Sequence, residues 1–159
     1  MGSRSKIDLS YIAGFLDGDG SLMLQIKKRH DGTRKFRFMA TICLYQDTRH
    51  EQPLFWMRDI LGIGYVSRRN DHITELRING YAQVVRILKE LSPYIKFKKL
   101  QAGALYKASL LLSEVGVKKL TSENFKQLVE FVLIVQHENY ATRRKKTREE
   151  LYQSLGLTP

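Results

Sequence analysis

Two aspartates, Asp17 and Asp19, stand one glycine apart directly after the largely apolar run YIAGFL at residues 11–16. Paired carboxylates can hold a divalent cation or take part in acid–base chemistry. An isolated DGDG stretch is more often a solvated turn. Here the preceding residues are of types that favour burial. The sequence therefore indicates that both acids lie at the end of a buried helix.

A calcium loop is the first alternative, because DGDGSLMLQIKK begins with acids and a serine at alternate positions. An EF-hand loop needs glycine at its sixth position and glutamate at its twelfth. Leu22 and Lys28 occupy those positions here. The EF-hand interpretation is therefore excluded.

Small residues precede the acids. Gly14 and Gly18 are four residues apart, and Ala13 is also small. On a helix, residues at this spacing share an edge, and small side chains there allow another backbone to approach closely. The acids at the end of such a helix could then converge with those of a neighbour.

Composition limits the class of protein and its partners. The 159 residues are 43% hydrophobic, which suits one domain with its own core. Lys and Arg number 27 against 16 Asp and Glu, a net charge of +11 that predicts a polyanionic partner. Membrane binding is disfavoured because no long basic amphipathic helix is present. The single cysteine, Cys43, excludes an intrachain disulfide and predicts a reducing, intracellular compartment: a prokaryotic cytoplasm or the organelle that encodes the protein.

Alternating hydrophobic residues predict four strands in two hairpins, at residues 21–29 and 35–46 and then at 64–69 and 72–79. Helical patterns surround them, beginning with a helix through residues 11–16 capped by Asp8 or Ser10. A second helix is predicted from Asp47, with TRHE at residues 48–51 as a capping box. The expected order is α-β-β-α-β-β-α followed by further helices. This is an α+β fold with an antiparallel four-stranded sheet and helices on one face.

The outward sheet positions carry polar and basic side chains that could read DNA. Gln, Arg and Glu match the hydrogen-bonding groups of base edges in the major groove, and Lys and Arg hold phosphates. An ordinary solvated sheet face is the alternative for one hairpin. The repetition of the pattern in two hairpins favours nucleic acid. The candidates are Gln25, Lys27, Arg29, Arg34, Arg37, Thr41, Tyr65, Ser67, Arg69, Glu75 and Arg77.

The segment IAGFLDGDG resembles the LAGLIDADG motif of the homing endonucleases, including both acids and the final glycine. The likeness extends along the chain, through two hairpins with an interposed helix, a lysine after SPYIKF and terminal helices. It implies the family's α-β-β-α-β-β-α core with a curved sheet and added C-terminal helices. Because the chain has one copy of the motif, it is most similar to the homodimeric, intron-encoded branch.

The resemblance implies a site-specific, Mg²⁺-dependent endonuclease that cuts both strands of a long pseudo-palindromic DNA site and leaves short 3′ overhangs. Mn²⁺ should replace Mg²⁺, and Ca²⁺ should bind without supporting cleavage. Asp19 and the carbonyl of Gly18 would hold the metal. Gln46 would order water, and Lys98 would activate solvent. His50 would be a further catalytic residue of this solvent network, at a position where relatives often have arginine. The implied dimer interface is Ala13, Gly14, Asp17 and Gly18, with Asp17 bracing the paired helices.

The C-terminal basic run, Arg143, Arg144, Lys145 and Lys146, falls where relatives contact the DNA backbone. The whole chain, residues 1–159, is expected to form one endonuclease domain. Residues 1–6 are expected to be a flexible tail or a cloning remnant, and residues 142–159 a basic extension. The alternative function on the same fold is an RNA splicing maturase, which would bind intron RNA, or a non-cleaving DNA-binding protein.

Overall fold

The computed structural model describes residues 4–32, 35–140 and 143–158. Its strands are β1 (Gly20–Lys28), β2 (Phe36–Asp47), β3 (Tyr65–Arg68) and β4 (Ile73–Asn79). Its helices are α1 (Lys6–Asp19), α2 (Gln52–Leu61), α3 (Tyr81–Leu91), α4 (Lys99–Val115), α5 (Ser122–Glu138) and α6 (Arg148–Leu155). The α+β class and the predicted order of elements are confirmed.

Within the described residues the strands form one antiparallel sheet in the order β1-β2-β4-β3. Side chains alternate between the two faces of a strand, so one face of each strand carries the apolar residues. Leu22, Leu24 and Ile26 of β1 and Phe38 and Ile42 of β2 are buried in the core shared with the helices. The opposite face of the sheet is left open. No helix in the described ranges has the length and apolar character needed to cross a bilayer.

Helix α1 starts earlier and ends later than predicted. Ser5 caps it by accepting a hydrogen bond from the amide of Asp8, so the prediction of a cap at Asp8 or Ser10 was wrong. Leu9 is buried and extends the apolar face of the helix toward its N-terminus. At the other end, a Cβ on Gly20 would lie 2.4 Å from Leu16 Cδ1 and 2.7 Å from Leu16 O. Glycine is therefore required where α1 passes directly into β1.

Arg4 closes the C-terminal end of α2. Its Nε donates to Ile60 O at 2.8 Å, and its Nη2 donates to Leu61 O at 2.6 Å. Its Nη1 forms an ion pair with Glu90. The last carbonyl groups of a helix lack partners within the helix, and Arg4 donates hydrogen bonds to two of them here. The expected flexible tail was therefore wrong for residues 4–6, and residues 1–3 lie outside the described ones.

The connection from β2 to α2 differs from the predicted continuous helix. A short 3₁₀ helix, Thr48–His50, precedes α2, which begins at Gln52. The predicted capping box is absent because distant strands engage its side chains. The Thr48 hydroxyl lies 2.9 Å from the Thr74 hydroxyl, and the Glu51 carboxylate pairs with Arg68 and accepts from Thr74 Oγ1 at 2.7 Å.

The ionisation of Glu51 makes the stability of the fold depend on pH in the acid range. The carboxyl is buried, and hydrogen bonds from Arg68 and then Thr74 lower its pKa from the usual 4.5 to about 2. Because the folded pKa is the lower one, this stabilisation is present above pH 4.5 and is lost as the pH falls toward 2. We expect Glu51→Gln to lower the Tm by roughly 5–10 °C at neutral pH, since Arg68 loses its charged partner.

Circular dichroism melts between pH 7 and pH 2.5 would check this. The difference in Tm between the wild type and Glu51→Gln should shrink as the pH falls below 4.5. The exposed Glu123 in the first turn of α5 provides the matched control, Glu123→Gln. A difference in Tm that stays constant across this range would contradict the assignment.

The C-terminal helix α6 is docked on the rest of the fold. Leu151 and Leu155 are buried in the core. Thr147 and Glu150 form a reciprocal capping box at its start. The predicted basic extension thus contains an anchored helix, while its first and last residues, 142 and 159, lie outside the described ranges.

Candidate active site and nucleic-acid interface

The junction of α1 and β1 presents one of the motif acids to solvent. Asp19 is the last residue of α1 and is exposed, and Gly20 opens β1 opposite Leu44 of β2. Strand β2 continues past Leu44 to Asp47. In this antiparallel register, the residues beyond Leu44 run toward the C-terminal end of α1. Gln46 is therefore placed at the same end of the sheet as Asp19.

The other motif acid is bound to the segment that carries Lys98. The Asp17 carboxylate accepts the backbone N–H of Lys96 at 2.7 Å and that of Lys98 at 3.0 Å. The Lys98 ammonium donates in turn to the backbone carbonyl of Asp17. Asp17 therefore braces the lysine segment of its own chain, which differs from the predicted brace between two motif helices.

Lys98 is a buried cation close to both acids. Its side chain is at the N-terminal end of α4, and the residue is 9% exposed. Burial lowers the pKa of the ammonium, and the charges of Asp17 and Asp19 oppose part of that shift. A lysine with this balance can hold a positive charge beside an anion or exchange a proton more readily than an exposed lysine.

Gln46 and His50 do not share a helical face, because β2 runs to Asp47 and a 3₁₀ helix follows. Gln46 Oε1 accepts the backbone N–H of Asp47 at 2.8 Å. His50 is exposed. Its neighbour Arg49 pairs with Asp47 through two guanidinium nitrogens, at 3.0 and 2.9 Å, and holds the pKa of that carboxyl well below its usual range.

Most predicted DNA-contacting residues lie on or beside the open face of the sheet. The exposed ones are Gln25, Lys27, Arg29, Arg37, Tyr65 and Arg69, and the half-buried ones are Ser67, Glu75 and Arg77. Thr41 is 3% exposed and donates to Asn79 Oδ1 at 2.8 Å. It supports Asn79 rather than projecting from the face, which corrects its prediction as a DNA contact. Arg34 lies outside the described residues.

The centre of the open face holds a charged cluster. Glu75 lies 3.3 Å from Arg77 Nε and 3.9 Å from Arg69 Nη1. Arg77 Nε is buried and makes no hydrogen bond of suitable geometry, so the ion pair with Glu75 is what holds this guanidinium at the centre of the face. Asn79, which donates to the Tyr65 hydroxyl at 3.1 Å, was missed by sequence reasoning. The outward alternation of β4 that marked Glu75 and Arg77 could have found it.

The four basic residues 143–146 are exposed and follow α5. A cavity of about 430 Å³ is lined by residues of this segment and of β1. Its lining includes Asp19, Lys98 and Tyr45 together with Gln136, Arg144 and Lys146. The motif acid, the buried lysine and the basic segment therefore border one groove.

One face of α1 is exposed and apolar. Ile7 is 81% exposed and Tyr11 is 59% exposed. Gly14 and Gly18 follow at helical spacing, and a Cβ added to either would meet nothing within 4 Å. Ala13 is fully buried in its own chain, so its prediction as an interface residue was wrong.

The apolar surface continues beyond α1. Phe97 is 87% exposed, and it lies between the two residues whose amides bind Asp17. Leu100 is 63% exposed at the start of α4. Trp56 of α2 packs edge-on against Tyr11, with 5.7 Å between ring centroids. A side chain as apolar as Phe97 is rarely left this exposed without a partner.

The family model described as LAGLIDADG endonuclease matches residues 12–108. The chain belongs to the LAGLIDADG endonuclease family. The matched region begins within α1 and ends within α4. It therefore spans both hairpins and contains Asp19, Gln46 and Lys98.

Two family members and one solved structure illustrate the likeness. DNA endonuclease I-CvuI of Chlorella vulgaris is 29% identical over 130 residues, covering 72% of this chain and 81% of the relative. DNA endonuclease I-CreI of Chlamydomonas reinhardtii is 28% identical over 145 residues, covering 91% and 86%. A crystal structure of I-CvuI in complex with an I-CreI target has a TM-score of 0.80 at 25% identity, covering 95% of this chain and 94% of that one.

The donor groups at the end of this LAGLIDADG helix suit a hard divalent cation. Asp19 offers an exposed carboxylate. Gly18 offers one of the last carbonyl groups of α1, a class of group without a partner in the helix. In the described part of the chain, no group of three or more His, Cys, Asp or Glu side chains is placed to hold a metal ion. One chain thus supplies oxygen ligands of the right kind but an incomplete set.

Proposed function

We propose that the protein is a homodimeric, metal-dependent homing endonuclease that cuts both strands of a long, nearly palindromic DNA site. The observation that carries this proposal is the groove whose lining Asp19 and Lys98 share with Arg144 and Lys146 of the basic segment. A polyanion held there would have its phosphates beside a carboxylate and a buried cation. The names of I-CvuI and I-CreI as DNA endonucleases support the same activity.

The exposed face of α1 supports a homodimer. A second copy related by a two-fold axis would cover Ile7 and Tyr11 with the same face of its own α1. The open space beside Gly14 and Gly18 would admit the partner's backbone. Such packing would bring two copies of Asp19 together and complete the ligand set that one chain lacks.

Asp19 and the Gly18 carbonyl of each chain would hold Mg²⁺, for which Mn²⁺ should substitute. When bound, a divalent ion neutralises the phosphate and activates the attacking water. Two side chains of the protein would assist the metal ion. Lys98 holds a positive charge beside the phosphate, and Gln46 orders solvent at the same end of the sheet. Strand cuts on both sides of the two-fold axis would leave short 3′ overhangs. Crystals of I-CvuI with DNA in the presence of Mg or of Ca support a divalent metal.

The open sheet face would read the sequence. Side chains such as Gln25 and Arg37 reach solvent from neighbouring strands and can contact base edges in a major groove. The basic segment would hold the phosphate backbone, which adds affinity without sequence choice. Because the two chains of a dimer carry identical faces, the site they read would be nearly palindromic.

The test is a cleavage assay on the DNA made by joining the two genomic flanks of the gene. We expect two fragments in Mg²⁺ or Mn²⁺, none in Ca²⁺ or EDTA, and specific binding in Ca²⁺. Binding of this duplex without cleavage in either active metal would contradict the nuclease proposal and favour a non-cleaving binder.

The proposed homodimer is tested in the same assay with the variant Gly14→Glu. A buried charge on the contact face should prevent pairing, so its mass in sedimentation should be 18.5 kDa instead of twice that value. Its double-strand cleavage should fall below detection while its circular dichroism spectrum stays unchanged. Ala82→Glu, on an exposed position of α3, is the control. A Gly14→Glu protein that remains dimeric would show that α1 does not form the interface.

A further inference from the structure

The side chain of Gln136 pairs with both backbone groups of a residue ten positions later. Its Oε1 accepts the N–H of Lys146 at 3.1 Å, and its Nε2 donates to the Lys146 carbonyl at 3.2 Å. The side-chain amide thus satisfies both backbone hydrogen-bonding groups of Lys146, as an adjacent strand would in a sheet. The C-terminal end of the basic segment is thereby attached to α5.

Contacts on both sides of the basic segment anchor its flanks as well. Before it, Asn139 Nδ2 donates to Leu22 O of the edge strand β1 at 2.9 Å. After it, Thr147 caps α6. Within it, Lys145 Nζ donates to the His137 carbonyl at 3.2 Å.

Without such anchors the segment would be costly to order. Four consecutive cations repel one another, and fixing each residue of a chain costs conformational entropy. A segment already held in place does not pay this cost when it binds, and it therefore binds more tightly. The cations at stake include Arg144 and Lys146, which line the groove together with Asp19 and Lys98.

We infer that Gln136 is a positioning residue that holds the basic segment, residues 143–146, in place to bind phosphates of the nucleic acid in the groove. Both groups of the Gln136 amide are engaged by the Lys146 backbone. It acts through Lys146, whose backbone it fixes, and through the cations that precede it. This inference rests on the proposed DNA-binding function and adds a residue that the sequence did not single out.

The experiment measures fluorescence anisotropy of a labelled duplex of random sequence at increasing KCl in Ca²⁺. The logarithm of the binding constant falls as the logarithm of the salt concentration rises, and each lost phosphate contact makes this negative slope shallower by about 0.9. We expect Gln136→Ala and the near-isosteric Gln136→Met to weaken binding about 3-fold to 10-fold and to make this slope shallower by about one unit. In a background in which Arg143, Arg144, Lys145 and Lys146 are all replaced by alanine, Gln136→Ala should add less than about a 2-fold loss, because coupled residues are not additive.

The control is Gln127→Ala, an exposed glutamine on the same helix. An unchanged salt slope in Gln136→Ala overturns the inference, whether or not its Tm falls, because a structural role alone would not alter the slope. A full additional loss in the background that lacks all four cations also overturns it. If the wild type binds no duplex at low salt, the proposed function itself fails, which is distinct from both results.

Discussion

Asp19→Asn should lower the rate of DNA cleavage by about 1,000-fold or more, which corresponds to several kcal/mol of lost metal-ion stabilisation. The amide has nearly the same shape as the carboxylate but lacks the charge that holds a divalent cation. Asp19 is exposed at the end of α1, so the fold should not depend on it. Single-turnover cleavage of the joined-flank duplex in Mg²⁺ measures the effect.

The same substitution should strengthen DNA binding in EDTA. Each dimer would lose two negative charges that face phosphates, and we expect a gain of roughly 2-fold to 5-fold that disappears as salt is added. A variant that cleaves more slowly but binds DNA more tightly has lost its metal site, whereas an unfolded variant would lose both activities. Asp59→Asn, an exposed carboxylate on α2, is the control and should change neither quantity. An Asp19→Asn protein that cuts within 10-fold of the wild-type rate would contradict the metal-ligand assignment.

The strands were predicted closely because burial on one face fixes their pattern. Residues 21–29 were predicted for the strand that runs Gly20–Lys28, and residues 72–79 for the strand Ile73–Asn79. A shift of one residue would have moved every apolar side chain to the open face. The same alternation places Arg69 beside Glu75 on the open face and Arg68 beside the buried Glu51.

The helix ends were predicted less well because capping competes with distant partners. Thr48 and Glu51 have the spacing of a capping box, yet residues of β3 and β4 engage both side chains. The start of α1 was missed because Ser5 lies before the recognisable apolar run. Local sequence cannot reveal which of several partners a polar side chain will find once the chain folds.

At the site, residue types were predictable and contacts were not. The motif resemblance selected Asp19 and Lys98, which the structure places close together. The bonds from Asp17 to the Lys98 segment join positions about eighty residues apart, and no sequence pattern indicates them. Ala13 was misplaced because a stripe of small residues does not show which side of a helix faces its own core.

Lys98→Met should lower the cleavage rate by roughly 100-fold to 10,000-fold, the range of a positioned group in proton transfer or charge stabilisation. Methionine keeps the apolar stem that packs in the buried site and removes the ammonium. Affinity for the duplex in Ca²⁺ should change by less than about 3-fold, since Lys98 is a single cation beside the several basic side chains of the groove and the open face. Lys99→Met, at the exposed next position, is the control and should leave the cleavage rate unchanged.

The pH dependence tests which form of Lys98 acts. Burial lowers its pKa below the usual 10.5, so its charge begins to be lost at a lower pH than that of an exposed lysine. Arginine stays charged throughout this range. If the ammonium stabilises the phosphate, the ratio of wild-type to Lys98→Arg cleavage rates should fall as the pH rises through the lowered pKa of Lys98. Taking the ratio cancels the effects of pH on the metal and on the attacking water.

A ratio that rises with pH would instead identify the neutral amine as the active form, and Lys98 would then take a proton from the attacking water. Asp17→Asn refines this test because the amide removes the negative charge that favours the ammonium. It should move the change in ratio to lower pH, whereas a substitution that only loosened the fold would lower both rates equally. Asp17 would then be shown to act through Lys98, by fixing its backbone and favouring its charge.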